Sequence, residues 1–264
     1  MSDFRIDQIT NQAGTAGPDI AGITTFSGSS GLLMPRGDTF RRSVIEDVVE
    51  EGLVLYLDAG NDVSYPGSGN KWFDLSNNGN TGTLLNGVGY SASNGGSLSF
   101  DGSDDYVSLG TKNIITTDFS VNMWVKVTAA TKEVFFFSFG YNDSSSALMF
   151  KHPDINILYI IYSNSGTTTQ YASSFEITQN VLYNITWTRN GSNNILYING
   201  FDIYSFSNST ILSSCIYDIG WASSRNKTTA YYQGNIYTTS LYNRALSAAE
   251  VSQNFNALRG RFGL

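Results

Sequence analysis

From Gly52 onward, apolar and polar residues alternate with a period of two, the spacing of strands that turn one face to a core. In GLVLYLDAG, Leu53, Leu55 and Leu57 alternate with Val54, Tyr56 and Asp58. In DFSVNMWVKV, Phe119, Val121, Met123, Val125 and Val127 share one face and leave Ser120, Asn122, Trp124 and Lys126 on the other. Further strands are expected at VFFFSFG, ALMFKH, ILYIIYS, YASSFEI, LYNITWTRNG, NILYINGFDIY, CIYDIGWAS and YYQGNIYTTSLY, separated by short Asn, Gly and Ser turns. About a dozen strands exceed an immunoglobulin unit and suit an all-β, antiparallel, two-sheet jelly-roll sandwich.

One regular helix is expected. In LSAAEVSQNFNALRGRF, Ser247 and Glu250 have capping-box spacing, and Val251, Phe255 and Leu258 form a stripe that must close against the sandwich. Residues 43–51, SVIEDVVEE, read as a linker or a short helix: Ser43 and Glu46 are spaced as a cap, but the β-branched residues weaken a helix.

Residues 1–42 have a different pattern. Gly and Pro interrupt them every few residues, so they build no core alone. Their apolar residues, Phe4, Ile6, Ile9, Ile20, Ile23, Phe26, Leu32, Leu33 and Met34, exceed what a solvated linker carries. An extended attachment arm that orders against another protein accounts for them, and a disordered tail is the other reading. The jelly-roll domain is then 52–264.

Composition supports the all-β reading. Only 14% of the residues are charged, 14% are aromatic, and there are 26 Gly against 4 Pro. A formal charge of −7 argues against nucleic acid, whose binding needs clustered Lys and Arg. The chain shows neither an export signal nor an apolar run of membrane-spanning length. Without an export signal, the N-x-[ST] triplets at Asn142, Asn184, Asn190, Asn208 and Asn226 follow from an Asn-, Ser- and Thr-rich composition. Cys215, the single cysteine, lies in an apolar run that suits a buried thiol.

Candidate chemistry is sparse. The stretch SLSFDGSDDYVSLG sets Asp101, Asp104 and Asp105 between two strand-like runs. Aspartates before glycine shape turns by accepting backbone N–H bonds, and that reading is favoured here. Calcium, held by these carboxylates and carbonyl oxygens, is the alternative, and no other cofactor is expected. Glu133, Glu176 and Glu250 lie far apart in sequence, so no carboxylate pair for glycoside hydrolysis is apparent. His152, the one histidine, sits before Pro153 without a nucleophile elbow. No catalytic residue is assigned. For a sugar, the candidates are loop aromatics beside polar groups: Trp221, Arg225, Tyr231 and Tyr232 around one loop, and Tyr141, Asn142 and Asp143 in another. Trp124 and Trp187 lie within strands and are expected in the core.

The segments SLSFDGSDDYVSLG, DFSVNMWVKV, ITWTRNGSNNILYINGF and YYQGNIYTTSLYNRALSAAEV occur in the order of the concanavalin A-like jelly roll in its laminin G-like form, which this chain resembles over about residues 52 to 258. The opening GLVLYLDAGNDVSYPGSGNKWFDLSNNGNTGTLLNG resembles a narrower group, the laminin G-like domains of structural proteins of tailed phages, especially those of cyanobacteria. The segment ITNQAGTAGPDIAGITTFSG, with PRGDTFRR after it, is similar to N-terminal segments of virion proteins from those phages. The resemblance implies a non-enzymatic virion component: a capsid decoration, fibre or tail-appendage subunit at the particle surface. Its arm would dock other virion proteins, its assembly would be homo-oligomeric, and its lectin-like domain would face host polysaccharide. A carbohydrate-binding module whose main role is glycan recognition is the alternative.

Overall fold

The computed structural model describes residues 48–114, 117–128, 133–141, 145–151, 156–164, 167–210, 215–221 and 231–264. The arm residues Phe4, Ile6, Ile9, Ile20, Ile23, Phe26, Leu32, Leu33 and Met34 lie outside them, as do Asn142, Asp143, His152 and Arg225 and the side chains of Tyr141 and Cys215.

Among the described residues, sixteen strands form two eight-stranded antiparallel sheets, numbered here in chain order. One sheet runs β14 (Phe201–Ser207), β13 (Asn193–Ile198), β12 (Leu182–Asn190), β7 (Phe119–Val127), β16 (Gln233–Tyr242), β5 (Ser97–Asp101) and β4 (Gly89–Ser91), with β1 (Leu53–Asp58) also on β16. The other runs β11 (Thr167–Glu176), β10 (Ile157–Asn164), β9 (Ser145–Lys151), β8 (Val134–Tyr141), β15 (Cys215–Ile219), β6 (Tyr106–Lys112), β3 (Gly82–Leu85) and β2 (Lys71–Trp72). Along one side of β16, β5 pairs with Gln233–Ile236 and β1 with Thr238–Tyr242, so β1 and β5 lie end to end. The short strands β2, β3 and β4 are too brief for a period-two signal and have no counterpart in the sequence reading. NILYINGFDIY is two strands, because Asn199 and Gly200 both take positive φ and form a hairpin turn.

Between the sheets, Phe119, Val121, Met123, Val125 and Val127 of β7 meet Phe136, Phe137, Phe139, Ile160 and Tyr162 of the facing sheet, with Trp187 among them. The expected polar face of β7 is buried as well: Ser120, Asn122 and Trp124 are covered. The cover is the helix α1 (Ala248–Arg259), which packs on the outer face of the β16 sheet. Its capping box forms as expected, with the Ser247 hydroxyl accepting from the Glu250 amide. The stripe is revised, since Val251, Asn254 and Leu258 are buried while Phe255 is half-buried and stacked flat on Trp124, centroids 5.6 Å apart at 11°. Asn254 substitutes for an apolar residue because its Oδ1 accepts from the Val49 amide at 2.8 Å and its Nδ2 donates to the Tyr242 hydroxyl at 3.0 Å. Val48–Glu50 has no regular structure, yet Val48 and Val49 are buried in the clusters under α1.

Candidate functional site

At one end of the sandwich, β5 leaves the first sheet at Asp101, turns, and enters the second sheet as β6 at Tyr106. Beside this turn, β15 ends at Ile219 and β16 begins at Gln233. The Tyr232 amide donates to the Gly220 carbonyl at 2.7 Å, and the Gly220 amide donates to the Phe136 carbonyl at 3.1 Å. Those bonds bring Trp221 and Tyr231 side by side, with rings 5.4 Å apart and 11° from parallel. Tyr106 completes the group, 4.8 Å from Trp221 and 6.5 Å from Tyr231. All three residues are half-buried.

Of the sequence candidates, Trp221 and Tyr231 therefore come together. Tyr232 does not join them. Residues next to each other in an extended chain point to opposite faces, so when Tyr231 faces outward Tyr232 must enter the core. It is 0% exposed, edge-on to Phe100 at 5.6 Å, and its buried phenol is pushed well above the ordinary tyrosine value by desolvation. Tyr106 was missed by the sequence reading, although it directly follows the aspartates in SDDYVSLG.

The acidic turn lies against the aromatic group. Burial first, and then the Asp104 charge, raise the Tyr231 hydroxyl above its usual range. Burial also leads the rise at Tyr106, reinforced by Asp218. Asp101 caps its own turn by accepting from the Ser103 amide at 2.7 Å. Asp105 is buried, and its Oδ2 accepts from the Asp101 amide at 3.0 Å. Burial raises its carboxyl above the ordinary aspartate value, and the nearby charges of Asp101 and Asp104 add to that, partly offset by the amide bond. Asp101 and Asp104 are exposed, and one oxygen from each of the three carboxylates lies within 4.8 Å of the others. Such a set offers a cation two or three of the six to eight oxygens calcium takes. The turn nevertheless has its own internal hydrogen bonds.

Glu250 is held by Arg244 at the start of α1, far in the chain from Glu133 and Glu176. Among the described residues, no helix is long and apolar enough to cross a membrane.

Solved structures share this architecture. Domain 4 of AbnA, a GH43 extracellular arabinanase from Geobacillus stearothermophilus, solved in complex with arabinotriose, superposes with a TM-score of 0.64 and 17% identity, over 78% of this chain and 99% of that one. The binding domain of Paraclostridial Mosquitocidal Protein 1 gives a TM-score of 0.60 and 20% identity, over 79% of this chain and 52% of that one. The botulinum neurotoxin type G receptor binding domain gives 0.58 and 18%, over 78% and 51%. This chain thus spans about half the length of the two toxin domains, and what it shares with all three is the fold. No curated protein matches the sequence. Residues 101–252 match the family described as the concanavalin A-like lectin/glucanases superfamily in its laminin G-like branch. That match takes in the acidic turn, the aromatic group and the strands β6, β15 and β16, and it covers more than half of the chain, so the protein belongs to the concanavalin A-like lectin/glucanase superfamily.

Proposed function

We propose that residues 48–264 are a non-catalytic glycan-binding domain whose ligand sits at the Trp221, Tyr231 and Tyr106 end of the sandwich. The observation that carries this reading is the stacking of Trp221 on Tyr231 at the surface, next to the exposed carboxylates of Asp101 and Asp104. Aromatic faces pack on the C–H faces of sugar rings, while carboxylates accept hydroxyl hydrogen bonds. The arabinotriose complex of the similar arabinanase domain supports the ligand class. Arg225 follows β15, which ends here, and remains a candidate partner of the same ligand, whereas β8 runs from this end at Phe137 toward Tyr141 beside the far end of β15, so Asn142 and Asp143, which follow it in sequence, are not assigned to this site.

The domain's place is proposed as the surface of a phage particle, with residues 1–42 docking other virion proteins and the jelly roll facing host polysaccharide. Support comes from the likeness of the arm and of residues 52–87 to phage structural proteins. A homo-oligomeric appendage would present several weak sites at once and gain avidity without new contacts. The second reading, a lectin that acts without a particle, keeps the same site and drops the arm's role.

Glycan-array binding of the whole chain tests the site. Trp221→Ala is expected to lose at least about tenfold in affinity, about 1.4 kcal/mol. Unchanged array binding in that variant refutes the site. Deletion of residues 1–42 tests the placement: the truncated chain should keep its array profile and lose co-purification with particles. Incorporation at full occupancy without the arm sinks the attachment role.

A further inference from the structure

Where β1 and β5 meet end to end along β16, the first sheet has a seam, and beside it opens a cleft of about 500 Å³. It lies within the size range of small-molecule sites. One wall is the C-terminal 3-10 turn Gly260–Phe262, from which Arg261 reaches across the seam. Its Nη1 and Nη2 donate to the two carboxylate oxygens of Asp58, each at 2.7 Å, and its Nε donates to the Gly95 carbonyl at 2.9 Å. The Gly60 amide also donates to Asp58 at 2.8 Å. Glycine is required at position 60, since a Cβ there would collide with the Gly95 carbonyl and the Arg261 guanidinium.

The chemistry of the lining selects its ligand. Arg261 and Asp58 neutralise each other, with side chains only 15% and 5% exposed, so a charged guest would have to break a completed pair. Tyr90 offers an exposed ring that leans on Tyr65, centroids 5.1 Å apart. Asn61 uses its Oδ1 to accept from the Val63 amide, and its Nδ2 donors have no partner among the described residues. A neutral wall, an exposed aromatic face and an amide donor together match a neutral ligand rich in hydroxyls. On the other side of Arg261 lies a smaller hollow of about 220 Å³ lined by Asn94, Lys126 and Phe262. Arg261 is thus a shared wall, which suits a ligand longer than one ring.

We propose that this cleft is a second binding site, for a neutral glycan of two rings, separate from the Trp221–Tyr231 end. It stands on its own lining and not on the aromatic group.

The test uses the full chain labelled with 3-fluorotyrosine, the Tyr90 resonance being identified by its loss in Tyr90→Phe. Cellobiose, maltose and lactose are titrated as probes, with glycerol as the non-glycan polyol. At least one disaccharide should shift the Tyr90 signal saturably. The shift should persist in Trp221→Ala, weaken at least fivefold in Asn61→Ala, and vanish in Ala92→Trp, which puts a large ring at the exposed lip. Ala92→Trp should keep the parent melting temperature, Asn61→Ala should lose no more than a few degrees through its bond to the Val63 amide, and if Ala92→Trp does not fold, Asn61→Ala decides. The proposal falls if no disaccharide shifts Tyr90, if the shift survives Ala92→Trp or Asn61→Ala undiminished, if glycerol shifts it equally, or if Trp221→Ala abolishes it. The last result would assign the signal to the aromatic end, whereas loss of array binding in Trp221→Ala with the Tyr90 shift intact leaves both sites standing.

Discussion

Arg244 grips Glu250 with both guanidinium arms, Nη1 to Oε2 at 3.0 Å and Nη2 to Oε1 at 2.6 Å. The pair joins the end of β16 to the first turn of α1, and the Arg244 Nε donates to the Glu51 carbonyl ahead of β1 at 3.0 Å. One arginine therefore ties together three segments that are distant in sequence.

That grip makes stability depend on pH. The Arg244 hydrogen bonds hold the Glu250 carboxyl well below its ordinary 4.5, at about 2. A carboxylate with a depressed folded value contributes stability above its unfolded value, and that stability drains away as pH falls through the folded value. Unfolding free energy should therefore decline between about pH 4.5 and about pH 2 through this group. Glu250→Gln keeps a capping side chain at that position and should flatten the decline. Urea unfolding across that range measures it. Parallel curves for parent and variant would show that the ion pair contributes nothing in solution.

The Asp58–Arg261 pair predicts a larger effect. Both side chains are mostly buried, and removing one partner strands the other charge, a loss of about 3 to 5 kcal/mol. Asp58→Ala should lower stability by that amount in urea unfolding, and Arg261→Met by a comparable amount, because it strands the Asp58 carboxylate, 5% exposed, with the Gly60 amide as its remaining donor. A loss under about 1 kcal/mol in Asp58→Ala would mean the C-terminal turn is held by Phe262 packing instead.

Arg189 is 2% exposed and, among the described residues, bonds only neutral groups. Its Nε donates to the Gly191 carbonyl at 2.8 Å, its Nη2 to the carbonyls of Thr210 at 2.6 Å and Asn208 at 3.3 Å, and its Nη1 to the Tyr162 hydroxyl at 3.4 Å. Arg189→Met leaves these acceptors without a donor at about 1 to 3 kcal/mol apiece where water does not enter. A total loss of about 3 kcal/mol or more, or about 6 to 12 °C in melting temperature, is expected. A shift under about 2 °C would show that water replaces the guanidinium.

The sandwich was legible because β1, β7 and β12 place apolar residues at every second position and about a dozen strands suit a two-sheet core. The same periodicity misled at the outer face. Ser120 and Asn122 look solvated in the sequence, yet they are buried because α1, more than 100 residues away, returns to cover that face. Nothing within a strand window announces such a lid. Trp221 and Tyr231 were legible as loop aromatics, whereas Tyr232 was misplaced by one residue of alternation. The cleft at Asp58 and Arg261 was not legible at all, since it depends on two strands sharing one side of β16, a fact of topology and not of local pattern.

The acidic turn gives a prediction whose sign separates its two readings. Asp105 is buried and its carboxyl is raised, by burial first and then by the neighbouring Asp101 and Asp104 charges. A carboxyl with a raised folded value favours the fold most at low pH, and that advantage is lost as pH rises through the folded value. At neutral pH the three carboxylates within 4.8 Å of one another therefore oppose folding. Asp104 is exposed and its side chain holds none of the turn's hydrogen bonds, so Asp104→Asn should relieve the repulsion and raise stability by about 0.2 to 1 kcal/mol at neutral pH. Chelator should leave the melting temperature of the parent unchanged. A bound calcium ion reverses both signs, adding about 2.7 kcal/mol at a hundred times its dissociation constant and making Asp104→Asn destabilising. A chelator-induced fall of several degrees, restored by calcium and absent in Asp104→Asn, would replace the turn with a metal site.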